Sequence, residues 1–315
     1  MNTASASAPS SPCAGATTRA DMARAEPRPG VAGPLPTVVV TIHNALEALD
    51  ACLASLERTL PPGTRVLLAD DASTDQRINP MARGWCYRSA LDARYVRRDL
   101  NMGYPANCNA AFAETGEADV VLLDSDTVVT PGWLQQLARC AGADARIATI
   151  TPWSNNAETC SFPRPGEPNP APEHPDVLAE AAAMSAPAWP ELPAAAGFCM
   201  YVRRAALRQL GGFDAATFGV GGGEQDDFSL RAAAMGWRNV LCDTAYVVHH
   251  GGASFGPLEL PAEGGNLERL LARWPLYHEQ VARFLLDDPL RAHRARLQEN
   301  LELLARSGPQ RDLFG

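Results

Sequence analysis

Three acidic clusters and one histidine pair hold the residues whose types and spacing can do chemistry in this sequence. Asp124-Ser125-Asp126 closes the apolar run 120–123. Alternate side chains of an extended backbone share a face, so both carboxylates can turn toward one hard cation, Mn2+ or Mg2+, carrying a diphosphate. Asp70-Asp71 closes a second apolar run, 65–69. The third cluster, Glu224-Gln225-Asp226-Asp227, follows Gly221-Gly222-Gly223, where glycine permits close backbone approach and the acidic residues fill the first turn of a helix. His249-His250 ends the run 245–248 and offers the donor that two carboxylates leave a cation lacking. Each cluster also has an ordinary structural explanation. Asp and Ser cap turns, acidic side chains suit a helix N-terminus, and a histidine beside glycine is commonly a surface residue.

The elements that must position these groups follow from periodicity. Residues 37–42 are a β-branched strand, and Leu46, Leu49, Leu53, Leu56 and Leu60 recur at helical spacing before the strand 65–69. Two buried strands joined by a helix form a right-handed unit whose strand C-termini share one side, so Thr41, Asp70, Asp71 and the 124–126 turn converge on one crevice. A strand at 93–97 leads, through Asn101, Gly103, Asn107 and Asn109, into a helix ending near Thr115. After the 124–126 turn a helix is expected at once, with Thr130 as N-cap and Pro131 at its first position. A strand at 146–150 precedes the Pro-rich connection 152–193, read as a candidate lid carrying a short helix near 177–184. Then come a strand at 197–202, helices at 203–210 and from 224 onward, and strands at 239–242 and 245–248. C-terminal helices are expected at 267–271 and 290–304. The stripe Leu290, Leu297, Leu301 and Leu304 reads as a packing face, with an acceptor or anionic-membrane contact as the alternative.

The fold class is α/β, a mostly parallel central sheet flanked by helices. The 315 residues, 46% hydrophobic and 20% charged, can bury a sizeable core, and a formal net charge of −9 argues against nucleic acid as a partner. Eight cysteines without a CxxC pair indicate neither a zinc ribbon nor a disulfide framework, and read as reduced thiols in the cytoplasm. No apolar run reaches the ~20 residues that span a bilayer, so membrane contact is expected to be at most peripheral, at the inner face. His43-Asn44-Ala45-Leu46 is neither a G-x-G-x-x-G turn nor a Gly-rich phosphate loop with a basic residue, which argues against a dinucleotide oxidoreductase and a nucleotidylyltransferase. Residues 1–35, rich in Ala, Ser, Pro, Thr and Gly, are expected to be a disordered tail.

Eight segments in order, TVVVTIHNA, LLADDASTD, NMGYPANCNAAF, LLDSDT, GFCMYVRRAAL, GGFD, GEQDDFSLRAAAMGW and VVHHGGASF, resemble the inverting glycosyltransferases of family 2, over residues 36–255. The resemblance implies a GT-A domain over 36–256, divided into a nucleotide-binding half at 36–130 and an acceptor-binding half at 131–256, with a helical extension at 257–315. It also implies a nucleoside-diphosphate-sugar donor, a divalent metal, and a glycan or lipid-linked acceptor in cell-surface polysaccharide assembly. Asp70 and Asp71 then contact the nucleoside, Asp124 lies near ribose and metal, and Asp126 binds the ion. Thr41, Asn44, Asn101, Gly103, Asn107 and Ser125 belong to the same donor site. His249 completes the metal site, with His250 as the competing choice. The family's base usually stands where this sequence has Gln225, which cannot accept a proton; Asp226 and Asp227 are the replacements, with Glu224 third. Trp153, Trp189 and Trp237 are candidates for a sugar-stacking ring. A degenerate domain that binds nucleotide sugar or glycan without turnover is the alternative.

Overall fold

Six consecutive β-branched and apolar residues, Thr37–Ile42, form strand β1, and every one of them is buried. The computed structural model describes Met1 and residues 34–251 and 265–307. Nearly all of the expected tail, Cys13, and the end of the last motif at 252–255 lie outside the described residues. Strand β1 continues through helix α1 (Leu46–Thr59) to β2 (Arg65–Asp70), then α2 (Ile78–Arg88), β3 (Asp92–Arg97), α3 (Tyr104–Glu114) and β4 (Val120–Asp124). All four strands are parallel, in the order β3-β2-β1-β4. Their side chains alternate between two cores: Val38, Val40, Ile42, Val121 and Leu123 pack with Leu49, Leu53 and Leu56 of α1, whereas Val39, Leu67, Val120 and Leu122 pack with Cys108 and Phe112 of α3. Each fully buried Val or Leu contributes about 1.5–3 kcal/mol. Burial on both faces is what parallel strands require.

The sheet then becomes mixed. It continues through β7 (Cys199–Val202), β6 (Ile147–Trp153), β8 (Arg238–His249) and β5 (Thr127–Val129). Strand β7 is antiparallel to both β4 and β6, and β8 is parallel to β6, so the starts of β7 and the ends of β1, β2, β4, β6 and β8 share one edge. The register Thr41 to Asp124 and Ile42 to Asp70 aligns the first three of those ends. The two expected strands at 239–242 and 245–248 are one strand, β8, whose pairing with β6 shifts between Pro152 and Trp153.

Three local expectations are corrected. The 124–126 turn enters β5, not a helix, and β5 pairs antiparallel with β8, Thr127 opposite His249. Helix α4 (Trp133–Ala143) starts after Gly132 in left-handed backbone, and the Thr130 hydroxyl donates to the Tyr246 carbonyl instead of capping it. The Pro-rich connection is a packed wall and not a lid: Cys160, Phe162, Leu178 and Leu192 join the main core, around a 3-10 turn at Glu158–Cys160 and α5 (Pro175–Ala183). Beyond β7 lie α6 (Arg204–Leu210), α7 (Ala215–Phe218) and α8 (Glu224–Ala234). The C-terminal part forms α9 (Asn266–Arg273), α10 (Tyr277–Asp287) and α11 (Arg291–Ser307), of which α10 has no counterpart in the sequence reading. Leu290 and Leu297 are fully buried, with Leu301 and Leu304 packed beside them, so that stripe is a packing face. Among the described residues no helix is long and apolar enough to cross a membrane.

Candidate active site

The loops after β1 and β2 are tied together by the residues expected to face a nucleotide. Asn44 takes a left-handed backbone, which asparagine tolerates, and its side-chain oxygen accepts from Thr74 N (2.8 Å) and Asp75 N (3.0 Å). Asp70 is fully buried and points inward, accepting from Ser73 N (2.9 Å), the Ser73 hydroxyl (2.6 Å) and the Tyr95 hydroxyl (2.5 Å), with the Arg97 guanidinium 3.5 Å away. Asp71 receives the backbone N–H groups of Met102 (2.7 Å) and Gly103 (2.9 Å). Gly103 N also reaches the Asn101 side chain at 2.9 Å. A Cβ on Gly103 would stand 2.3 Å from the Gly219 carbonyl oxygen, so only glycine lets this loop lie against the loop before α8. Asn107 is buried, donating to the Ala69 carbonyl (2.9 Å) and accepting from Arg98 (2.9 Å). Asp70, Asn44 and Asn107 thus use their polar atoms to shape the crevice walls.

The acidic turn faces the crevice. Thr41 Oγ1 donates to Asp124 Oδ1 at 3.2 Å, and the start of β7 closes the other side, Asp124 N donating to the Phe198 carbonyl at 2.9 Å. The pairing of β5 with β8 brings His249 to this turn, with Nε2 3.6 Å from Asp126 Oδ1. One donor atom each from Asp124, Asp126 and His249 lie within 4.8 Å of one another. His249 is held on three sides: its backbone N–H donates to Asn155 Oδ1 (2.9 Å), its Nδ1 lies 2.7 Å from the Asn156 carbonyl, and its ring stacks on Phe198 at 5.1 Å. A carbonyl beside Nδ1 requires the proton there, which leaves the Nε2 lone pair for a cation. Burial, then the neighbouring Asp126, raises the Asp124 carboxyl, with His249 and Thr41 opposing. Two hard oxygens and one imidazole make a donor set that fits a divalent cation. His250 turns its side chain to solvent, and its backbone N–H bonds the Asp126 carbonyl. Ser125 is buried, its hydroxyl without a hydrogen-bond partner among the described residues.

The four residues at the start of α8 diverge. Asp226 lines a cleft of 310 Å³ together with Gln225, His249, Glu158, Phe198 and Tyr277. Burial pushes its carboxyl up to about 6, and the Tyr277 hydroxyl, donating at 2.7 Å, opposes that rise. Asp227 is fully buried and turned away, gripped by Arg231 (2.8 Å), Arg273 (2.8 Å) and the Trp274 indole N–H (3.0 Å). Both Asp227 oxygens are thus occupied by donors, unlike those of Asp226. Glu224 is buried and accepts from Gly222 N at 2.6 Å; burial pushes it up to about 7. The folded chain therefore holds the Glu224 proton more tightly than the unfolded chain. Its stabilising contribution is complete below about pH 4.5 and is lost as pH rises through about 7. Glu224→Gln is expected to reduce the fall of Tm between pH 5 and 7.5, an effect of order 3 kcal/mol in free energy. An unchanged Tm profile would contradict the assignment.

None of the three tryptophans lines the cleft. Trp153 is fully buried under Arg294, Trp189 packs on the main core, and Trp237 packs beside Ala206 and Ala232 and donates to Gln209. The aromatic side chains that line the cleft are Phe198 and Tyr277, beside the His249 imidazole. The orienting pair Asn155-Asn156 stands at the end of β6, a polar strand end like the acidic ones, so a signal for it existed. Tyr277, Arg273 and Trp274 carry none.

Glycosyl transferase family 2 matches the chain over residues 37–211, more than half of it. Two curated relatives from strains of Mycobacterium tuberculosis, both N-acetylglucosaminyl-diphospho-decaprenol L-rhamnosyltransferases, are 27% identical over 252 residues, which cover 70% of this chain and 78% of each relative. Among solved structures, GalNAc-T7 with UDP, GalNAc and Mn2+ superposes with a TM-score of 0.58 at 15% identity over 85% of this chain; the chain spans only 55% of that protein's length. A mannosyltransferase from Pyrobaculum calidifontis in complex with GDP-Man and Mn2+ gives 0.54 at 19% identity, covering 91% of this chain and 80% of that one. S. aureus TarS in complex with UDP-GlcNAc gives 0.51 at 18%, covering 87% and 82%. At these identities the likeness shows the fold, the GT-A arrangement of a mixed sheet between helices.

Proposed function

Because the chain belongs to glycosyl transferase family 2, we propose that it transfers a sugar from a nucleoside-diphosphate donor to a hydroxyl of a glycan or lipid-linked acceptor, inverting the anomeric carbon. The observation that carries this reading is one sheet edge bearing both the Asp124, Asp126 and His249 donor set and, continuous with His249, a cleft lined by Asp226. Asp124, Asp126 and His249 would hold a divalent cation, which when bound would supply positive charge opposite the departing diphosphate. Thr41 orients Asp124, Asn155 and Asn156 orient His249, and the loop held by Asp71 forms the nucleoside side. Asp226 takes the proton of the attacking hydroxyl; a carboxyl near 6 is ionised at neutral pH and still basic enough to accept it. Gln225 packs against Gly197, where a Cβ would meet its amide at 2.5 Å, and lines the cleft, where its amide would hydrogen-bond an acceptor it cannot deprotonate.

Rhamnosyl transfer to a lipid diphosphate by the Mycobacterium tuberculosis relatives supports a finer version, hexosyl or deoxyhexosyl transfer in cell-surface polysaccharide assembly. The described cysteines are all free thiols, in keeping with a cytoplasmic enzyme. Residues 36–130 are read as the donor half and 131–256 as the acceptor half, which also lends His249 to the metal set, with 257–315 a helical extension whose Tyr277 reaches the cleft.

Calorimetric titration with UDP, GDP and dTDP, each with Mn2+ and with EDTA, tests the reading. One nucleotide is expected to bind in Mn2+ and to lose at least ~100-fold in affinity with EDTA. Sugars on that nucleotide should then be turned over. Metal-dependent binding without turnover would favour the degenerate reading that Gln225 invites, and no binding to any nucleotide would overturn the donor site.

A further inference from the structure

We infer that Tyr277, on α10 and outside the segment that matches the family, is a positioning residue for Asp226, holding one carboxylate oxygen so that the other takes the acceptor proton. The inference rests on the reading of Asp226 as the base. The Tyr277 hydroxyl donates to Asp226 Oδ1 at 2.7 Å across 51 positions of sequence, and both side chains line the same cleft. Among the described residues it is the one hydrogen-bond donor to that carboxylate, and Asp226 forms no ion pair there.

That choice of donor has a chemical reason. An arginine at the same place would hold the carboxylate ionised too strongly for it to remove a proton, whereas a neutral hydroxyl fixes the geometry and leaves basicity near working pH. The other groups facing Asp226 are Glu158 from the 3-10 turn and the neighbouring Asp227, with Gln225 and His249 along the same cleft. Burial and the Asp226 charge hold the Tyr277 hydroxyl protonated, well above its ordinary range, so it remains a donor throughout.

The segment before Tyr277 is built to hold it. Asn266 donates to the carbonyls of Phe218 and Gly221, both at 2.9 Å, and Leu270 is buried against Phe218 and Leu230. Arg273 and Trp274 grip Asp227, and Tyr277 N bonds the Trp274 carbonyl at 3.0 Å. Adjacent carboxylates on α8 are therefore held by one short stretch. Asp227 anchors the stretch, and Tyr277 orients Asp226.

A carboxyl-resolved NMR titration of the full-length protein, with Asp226→Asn to assign the signal, tests this without donor or acceptor. Asp226 is expected to titrate near 6, and Tyr277→Phe to raise that midpoint by about one pH unit, because a hydrogen bond to the ionised form is lost. With the nucleotide sugar found by the titration above, the acid limb of kcat/KM should move by the same amount. Turnover should fall about tenfold while donor KM stays put. An unmoved midpoint in Tyr277→Phe overturns the positioning role alone. Parent-level turnover in Asp226→Asn overturns the reading of the base on which it rests.

Discussion

Asp126→Ala is expected to abolish Mn2+-dependent nucleotide binding and leave the fold intact. Asp126, Asp124 and His249 each offer one donor atom within 4.8 Å of one another at the sheet edge, so the variant retains one carboxylate and one imidazole. Loss of an outer-shell partner alone lowers metal affinity 10–100-fold, and removal of a direct anionic ligand should exceed about a hundredfold. The metal-free fold should not suffer, because Asp126 is one of the groups that raise the Asp124 carboxyl, and alanine relieves that repulsion. Calorimetry with Mn2+ and the bound nucleotide, beside a melting curve in EDTA, checks both halves. A variant that still binds nucleotide in a metal-dependent way would remove Asp126 from the site, and one that melts well below the parent in EDTA would make it a structural residue.

The parallel half of the sheet was legible because its signals are local. A β-branched run such as 37–42, a leucine stripe such as Leu49, Leu53 and Leu56, and a crossover of one hand suffice to align the ends of β1, β2 and β4. The position of His249 beside Asp126 was accessible only through resemblance, since it depends on β5, three residues whose partner strand lies some 120 positions later. Strands that short show no alternation to read. The roles within an acidic strand end were equally hidden. Asp70 and Asp124 both close apolar runs, yet Tyr95 and Ser73 turn one inward while Thr41 and the incoming β7 leave the other at the crevice. Which carboxylate faces a ligand is decided by what neighbouring strands contribute, not by its own run. The same holds for α8, whose Asp226 and Asp227 are told apart by Arg231 on α8 itself together with Arg273, Trp274 and Tyr277 from the C-terminal stretch.

That distinction gives the second large effect, a crossed pair of variants. Asp226→Asn is expected to lower turnover about a thousandfold, the range of a lost general base, with nucleotide binding preserved. Its stability should be equal or slightly higher at pH 7.5, because a carboxyl raised to about 6 by burial carries an unfavourable charge there and asparagine still accepts from Tyr277. Asp227→Asn should act the other way. Its two oxygens answer Arg231, Arg273 and Trp274, and neutralising them leaves partly buried guanidinium groups uncompensated, at about 3 kcal/mol, less for the Arg273 side, which is 39% exposed to solvent. A chain of this size, with an unfolding entropy of about 2.1 cal/mol/K per residue, would lose roughly 4–6 °C in Tm. The turnover that Asp227→Asn retains below its melting range should stay within about tenfold of the parent, since it touches no reacting atom. Turnover at a single temperature would confuse the two, because partial unfolding also lowers activity; Tm and kcat measured together separate them. If Asp227→Asn lost turnover a thousandfold while melting with the parent, the base would be Asp227, and the geometry of α8 would have to change when substrate binds.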